Sequence, residues 1–402
     1  MVTPSTTAPT VRFGIDGLLA HHRNTLQGVR LGLVTNDAAT TALLPRPLTP
    51  TRQALQAAGV PLYALFAPEH GLGASAADGA VINDAQDALT GLLVRSLYGA
   101  TYRPTPAMLA DIDLLLFDIP DVGVRFYTYI WTLSYVMEAC AEAGVPLWVL
   151  DRPNPLGGDL AKAEGPSLDE AHLASFVGRW AMPIRHSLTI GELARLWNGE
   201  RRLGVDLTVI PVENWQRSQL WSDVGLPFVP TSPSMPSYET VLPYPGTCLF
   251  EGTNLSEGRG TTTPFRIAGA PWLDAYAVAD TFNRQNLPGV VARAVQFSPT
   301  TNKYTDQLCQ GIMVHVLDED HFRPVAAGLQ LLATIIRHHP QQFQWLPYPT
   351  ADSGAGYGHF DRLIGQLWVR EALHRADATD VIPQWTDPGP WAALVQPYLL
   401  YQ

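Results

Sequence analysis

Four short runs of Val, Leu, Ile and Phe, at residues 29–36, 62–67, 112–119 and 146–150, constrain this chain more than any other feature. Runs with so few polar interruptions suit strands covered on both faces, as in a parallel sheet. Longer amphipathic stretches, 49–58 and 129–143, lie between them. Strand–helix alternation of this kind builds right-handed βαβ units, so the expected class is α/β with an open parallel sheet. Each run ends in a polar cluster: Thr35-Asn36-Asp37, Pro68-Glu69-His70-Gly71, Asp118-Ile119-Pro120-Asp121 and Asp151-Arg152-Pro153-Asn154. Ligands of open α/β sheets bind beyond the carboxyl ends of the strands. That edge is therefore the expected site.

A helix over 188–198 and a strand over 206–212 precede a Pro-rich passage, 226–236, which places a domain boundary near residue 240. The expected units are 1–240 and a smaller α+β domain, 241–402, with strands at 290–297 and 312–316 and a helix at 324–338. A length of 402 residues accommodates this, at ~150 residues per domain.

Hydrophobic residues make up 46% and charged residues 16%, which excludes an intrinsically disordered chain. A net charge of −11 with no Lys/Arg run leaves no electrostatic footprint for nucleic acid. No apolar run approaches the roughly 20 residues that span a bilayer, so membrane insertion is not expected. The N-terminus lacks a basic start followed by an apolar stretch, so the chain as written is expected to be cytoplasmic. Cys140, Cys248 and Cys309 are widely spaced and read as buried free thiols. No His/Cys/Asp cluster has ligand spacing, so no metal is expected. Gly71-Leu72-Gly73-Ala74-Ser75-Ala76 fits a dinucleotide fingerprint only formally, because loop sequence follows where a long helix is required. No cofactor is expected.

Glu69 follows directly on an apolar run, where a carboxyl pKa can be raised toward general-acid duty; a helix cap or an Arg partner is the plainer role, and position leaves both open. Residues 118–129 combine Asp118, Asp121, Arg125, Tyr127 and Tyr129, a mixture suited to a sugar with an acidic substituent and equally to a buried Asp–Arg pair. Glu138, on the helix, and Glu164, in a Gly/Pro loop, either reach the same edge or remain solvated. Residues 250–265 pack Glu251, Thr253, Asn254, Ser256, Glu257 and Arg259 among three glycines. So polar a loop reads as one whose backbone closely approaches a hydroxyl-rich ligand.

The ordered series VTN, FAPEHG, SLYG, PTPAML, FDIPDVGVRFYTYI, LDRPNPLGG, EGP, RHSLTIGEL, SPSMP and FEGTNLSEGRGTTTPF resembles the exo-β-N-acetylmuramidases called NamZ, from about residue 12 to the C-terminus. The resemblance implies a Rossmann-like N-terminal domain, a smaller C-terminal domain and an active-site cleft between them. It implies a glycoside hydrolase that releases N-acetylmuramic acid (MurNAc) from the non-reducing end of peptidoglycan-derived chains alternating with N-acetylglucosamine (GlcNAc). The family's catalytic Glu falls on Glu69, and Glu138 and Glu164 match acidic positions that offer a second carboxylate. The expected substrate-binding set is Asn36, His70, Asp118, Asp121, Arg125, Tyr127, Tyr129, Arg152, Asn154, Glu251, Thr253, Asn254, Ser256, Glu257 and Arg259, with Arg125 or Arg259 reading the lactyl carboxylate of MurNAc. Three positions depart from the family pattern: Gly73 replaces an Arg, Pro120 a Gln and Ser234 an Asn. Family members are often exported. A non-catalytic muropeptide- or sugar-binding protein of the same fold is the alternative, and an NAD-dependent oxidoreductase a third reading.

Overall fold

The computed structural model describes residues 10–43, 46–347 and 357–402. Seven strands form the first sheet: β1 (Leu31–Thr35), β2 (Leu62–Ala67), β3 (Ala85–Gln86), β4 (Leu93–Ser96), β5 (Leu114–Asp118), β6 (Leu147–Leu150) and β7 (Leu207–Ile210). Their order is β3-β4-β2-β1-β5-β6-β7, and every pairing is parallel except β3 with β4. β1 and β5 are buried at every residue, as their unbroken apolar runs require when both faces are covered. The first sheet thus has the expected α/β architecture. The edge pair β3–β4 was not anticipated, because two- and four-residue strands with exposed positions carry too little pattern.

Helices α1 (Thr51–Ala57), α2 (Tyr129–Ala143) and α3 (Ile190–Glu200) accompany the sheet. α2 stops where Gly144 takes φ 67°, a left-handed turn glycine enters without steric cost. Thr189 and Glu192 form a capping box at the start of α3. Trp131 of α2 stacks on Trp197 of α3, with ring centres 5.3 Å apart, and packs with Phe117 in the core. Burying side chains of this size stabilises the fold by roughly 1.5–3 kcal/mol each.

The second sheet is antiparallel, ordered β8-β10-β9, with β8 (Ile267–Ala270), β9 (Val290–Phe297) and β10 (Cys309–Val316). α4 (Ala275–Asn283) packs against it, and α5 (Pro324–His338) packs against α4. One apolar core runs from Phe117 and Trp131 to Ile312 and Val395 without a break. The chain's end also returns to the first sheet: Leu400 N–H donates to Glu192 and Tyr401 Oη to Asp151. The three cysteines are free and buried. Among the described residues, no helix is long and apolar enough to cross a membrane.

Candidate active site

β2 ends inside the molecule, and three residues on the chain turns sharply. His70 and Gly71 both take left-handed backbone angles, φ 66° and 73°, so the chain reverses directly after Glu69. The turn leaves the Glu69 side chain in the wall of a cavity of about 450 Å³. Its Oε1 accepts the Gly79 N–H at 3.1 Å and its Oε2 accepts the Thr128 hydroxyl at 2.6 Å. The His70 Nδ1 lies 2.7 Å from the Ala76 carbonyl, which can only accept. That nitrogen therefore carries the proton, and Nε2 faces Asp78 at 3.7 Å.

Opposite lies Arg259. Its guanidinium donates to Glu251 at 2.6 and 3.2 Å, to the Ser234 hydroxyl at 2.6 Å and to Asp78, with Glu257 at 3.3 Å. Although burial opposes it, Arg259 and then His359 hold the Glu251 carboxyl below its usual range. Burial pushes the Asp78 carboxyl the other way, up, against the pull of Arg259 and His70. Burial also lowers the His359 pKa, which favours its neutral form. The cavity's inner surface is apolar and aromatic, with Phe126, Tyr127, Met235, Tyr244 and Phe265 all buried. The phenol of Tyr127 donates to Thr231 at 2.5 Å, and burial raises its pKa.

Of the residues expected at the site, Glu69, His70, Tyr127, Glu251 and Arg259 line this cavity. Glu257 stands behind it, holding Lys303 at 2.9 Å. The other two catalytic candidates are placed elsewhere. Glu138 pairs with Arg179 at 2.9 and 3.1 Å on the outer part of α2. Glu164 is fully buried and accepts the Val325 and Ala326 N–H groups at the start of α5, at 3.2 and 2.7 Å. It caps a helix.

Arg125 is likewise corrected. Its guanidinium is fully buried and donates to the carbonyls of Pro166, Met182 and Leu363 at 2.6–2.9 Å, joining three loops rather than facing a ligand. Burial lowers its pKa to about 9. The carboxyl-edge clusters also divide. Asp118 is enclosed by Arg152 at 2.6 and 2.9 Å and by Thr51 at 2.5 Å. Asp121 is held against His186 at 3.1 Å, and Asn36 accepts the Ala38 N–H at 3.2 Å. Asn154 binds Leu188 and Leu156 at 2.9 Å, and a side chain on Gly123, at φ 81°, would strike it at 2.3 Å. Tyr129 donates to the Thr231 carbonyl at 2.8 Å. Their hydrogen bonds run to neighbouring side chains and backbone, bracing the loops around the cavity.

The glycine-rich loop 250–265 was expected to approach a ligand with its backbone, yet it approaches protein. A Cβ on Gly252 would lie 2.4 Å from the Phe360 backbone, and one on Gly260 2.6 Å from Thr301. Thr253, Asn254 and Ser256 bind Phe250, Gln342, Gln344 and Gly258 within the same wrapping, and Lys303 collects three of the loop's carbonyls.

The sequence model described as "Exo-beta-N-acetylmuramidase NamZ, N-terminal" matches residues 31–239, and the corresponding C-terminal model matches residues 242–401. The chain belongs to the NamZ family. A Bacillus subtilis relative, named peptidoglycan beta-N-acetylmuramidase NamZ, is 44% identical over 374 residues, covering 93% of this chain and 87% of its own. Two crystal structures of DUF1343 family proteins from Bacteroides fragilis are also similar. One superposes with a TM-score of 0.84 at 32% identity and the other with 0.72 at 28%, each alignment covering 98% of this chain and 99% of the other.

Two of the three departures from the NamZ pattern acquire a physical setting. Ser234 accepts a hydrogen bond from Arg259 at 2.6 Å, so the shorter side chain still serves the guanidinium. Pro120 does not line the main cavity. The lining residues Asp78, Tyr98, Tyr102, Thr128, Tyr135, Phe176, His359 and Arg362 went unmarked in the sequence. Single aromatic or polar residues on separate loops and helices carry no spacing signal. Among the described residues, no three His, Cys, Asp or Glu side chains are placed to hold a metal.

Proposed function

We propose that this chain is an exo-acting β-N-acetylmuramidase that hydrolyses the bond between a terminal MurNAc and the following GlcNAc of peptidoglycan fragments. The observation that carries the reading is Glu69: a carboxyl fixed by two hydrogen bonds at the end of β2, in a cavity whose inner surface is buried aromatic and aliphatic. The relative with that named activity, at 44% identity over most of both chains, supports it.

Hydrolysis breaks the C1–O bond to the leaving sugar and adds water at C1. Glu69, when protonated, delivers the proton to the leaving oxygen, and its carboxylate then accepts one from water. The carboxylates left for a further role are Asp78 and Glu251, because Glu138 and Glu164 lie outside the cavity. Arg259 faces the same space, and a planar guanidinium suits the lactyl carboxylate of MurNAc.

Mass analysis after incubation with a MurNAc-GlcNAc disaccharide tests the proposal. Free MurNAc and free GlcNAc are expected. Binding of the disaccharide without cleavage would favour a sugar-binding protein.

A further inference from the structure

We propose that an aromatic wall at the outer end of the cavity, formed by Tyr98, Tyr102, Tyr135 and Phe176, is the subsite for the leaving GlcNAc. The inference rests on the hydrolase reading for the identity of the sugar. Its geometry stands independently.

The four rings come from three separated parts of the chain, the 97–105 loop, α2 and the 174–178 turn, yet they meet as one cluster. Tyr102 and Phe176 have ring centres 4.8 Å apart, and Tyr98 lies 5.4 Å from Phe176 and 5.5 Å from Tyr102. Tyr102, Tyr135 and Phe176 are nearly parallel, inclined by 19–35° to one another. Arg179 supports them from behind, its guanidinium carbon 3.7 Å from the centre of the Tyr135 ring. Glu138 and Ser134 anchor that guanidinium. Glu138 is thereby a positioning residue for the wall.

Depth along the cavity assigns the occupant. Glu69 and Tyr127 are only 7% exposed, whereas Tyr102 is 40% exposed in the same cavity. An enzyme that takes one terminal sugar places it in the buried end, with the scissile bond at Glu69. The next sugar then lies toward the exposed wall. A β-linked GlcNAc presents the axial hydrogens of C1, C3 and C5 on one face, an apolar surface matched to the negative face of an aromatic ring.

Three variants and two substrates test this. In Tyr102→Ala, kcat/KM for MurNAc-GlcNAc should fall about tenfold, the scale of a lost aromatic contact. Methyl β-MurNAc, which places nothing on the wall, should be hydrolysed within twofold of wild type. Tyr102→Phe should restore the disaccharide rate, and Glu138→Gln should reproduce part of the Ala effect on the disaccharide alone. Equal losses on both substrates, or no loss on the disaccharide, would overturn the proposal. Saturation-transfer NMR with methyl β-GlcNAc reads the wall without catalysis: its signal should weaken in Tyr102→Ala, and an unchanged signal overturns the assignment. A wild-type protein that cleaves neither substrate would refute the hydrolase reading, leaving the NMR comparison to decide the subsite.

Discussion

The hydroxyl of Thr128 lies 2.6 Å from Oε2 of Glu69, joining the residue before α2 to the residue just beyond β2. Thr128 occupies the N-cap position of α2, yet its side chain makes no capping bond to the helix. The hydroxyl is turned outward to the carboxyl instead. A hydrogen bond spent this way fixes the orientation of Glu69, and orientation is what general acid–base catalysis needs.

Thr128→Val should therefore lower kcat about tenfold, with KM within twofold of wild type, while Thr128→Ser restores the rate. Steady-state kinetics on the MurNAc-GlcNAc disaccharide reads both. A Val variant at full speed would show that Glu69 is positioned by its other contacts alone.

Arg259 has three carboxylate partners of unequal exposure: the Asp78 side chain is 43% accessible, against 16% for Glu251 and 2% for Glu257. Asp78 is the partner that an incoming lactyl carboxylate can replace. Arg259→Lys keeps the charge but loses the planar fork, and should raise KM for MurNAc glycosides by about tenfold. Asp78→Asn removes the competitor and should lower KM, with kcat within about threefold. A kcat loss of two orders of magnitude in Asp78→Asn would instead make Asp78 a second catalytic carboxylate.

The parallel centre of the first sheet was legible because β1 and β5 are buried at every residue, and the edge at β2 that bears Glu69 was legible with it. The inward or outward fate of individual polar groups was not. Asp118 and Glu69 follow similar apolar runs, but Arg152 and Thr51 close over the first while the turn at His70 opens the second to the cavity. That difference depends on residues 34 and 67 positions away in sequence, beyond any local pattern. The polar loop 250–265 misled for a related reason: its hydrogen-bonding groups are consumed by Lys303, Gln342 and Gln344, which only the folded chain brings near.

Glu164→Gln should cost about 1–3 kcal/mol of stability, since an amide cannot accept both N–H groups at the start of α5. Its kcat should stay within twofold of wild type. Thermal unfolding and kinetics on the same preparation check this. Lost turnover at unchanged stability would return Glu164 to the reacting groups.

Stability should also depend on pH through Asp151. Burial raises this carboxyl to about 6, against hydrogen bonds from Tyr401, Thr189 and Gly191. A raised folded-state pKa favours the fold while the group is protonated, so the contribution is fully present below about pH 4 and is lost as pH rises through 6. The stability difference between wild type and Asp151→Asn should shift by about 2 kcal/mol against wild type between pH 4 and 7. Denaturant unfolding at a series of pH values reads it. A difference that does not vary with pH would show that the hydrogen bonds keep Asp151 ionised throughout.

The central claim concerns Glu69, and its most direct measurement is kcat of Glu69→Gln on MurNAc-GlcNAc. Gln retains the size of Glu and can keep partners at Gly79 and Thr128, but it neither delivers a proton at neutral pH nor accepts one. Turnover should fall by about 10²–10⁴-fold or more, with disaccharide binding and melting temperature nearly unchanged. A variant that keeps a tenth or more of wild-type kcat would contradict the assignment of Glu69 as the catalytic acid–base.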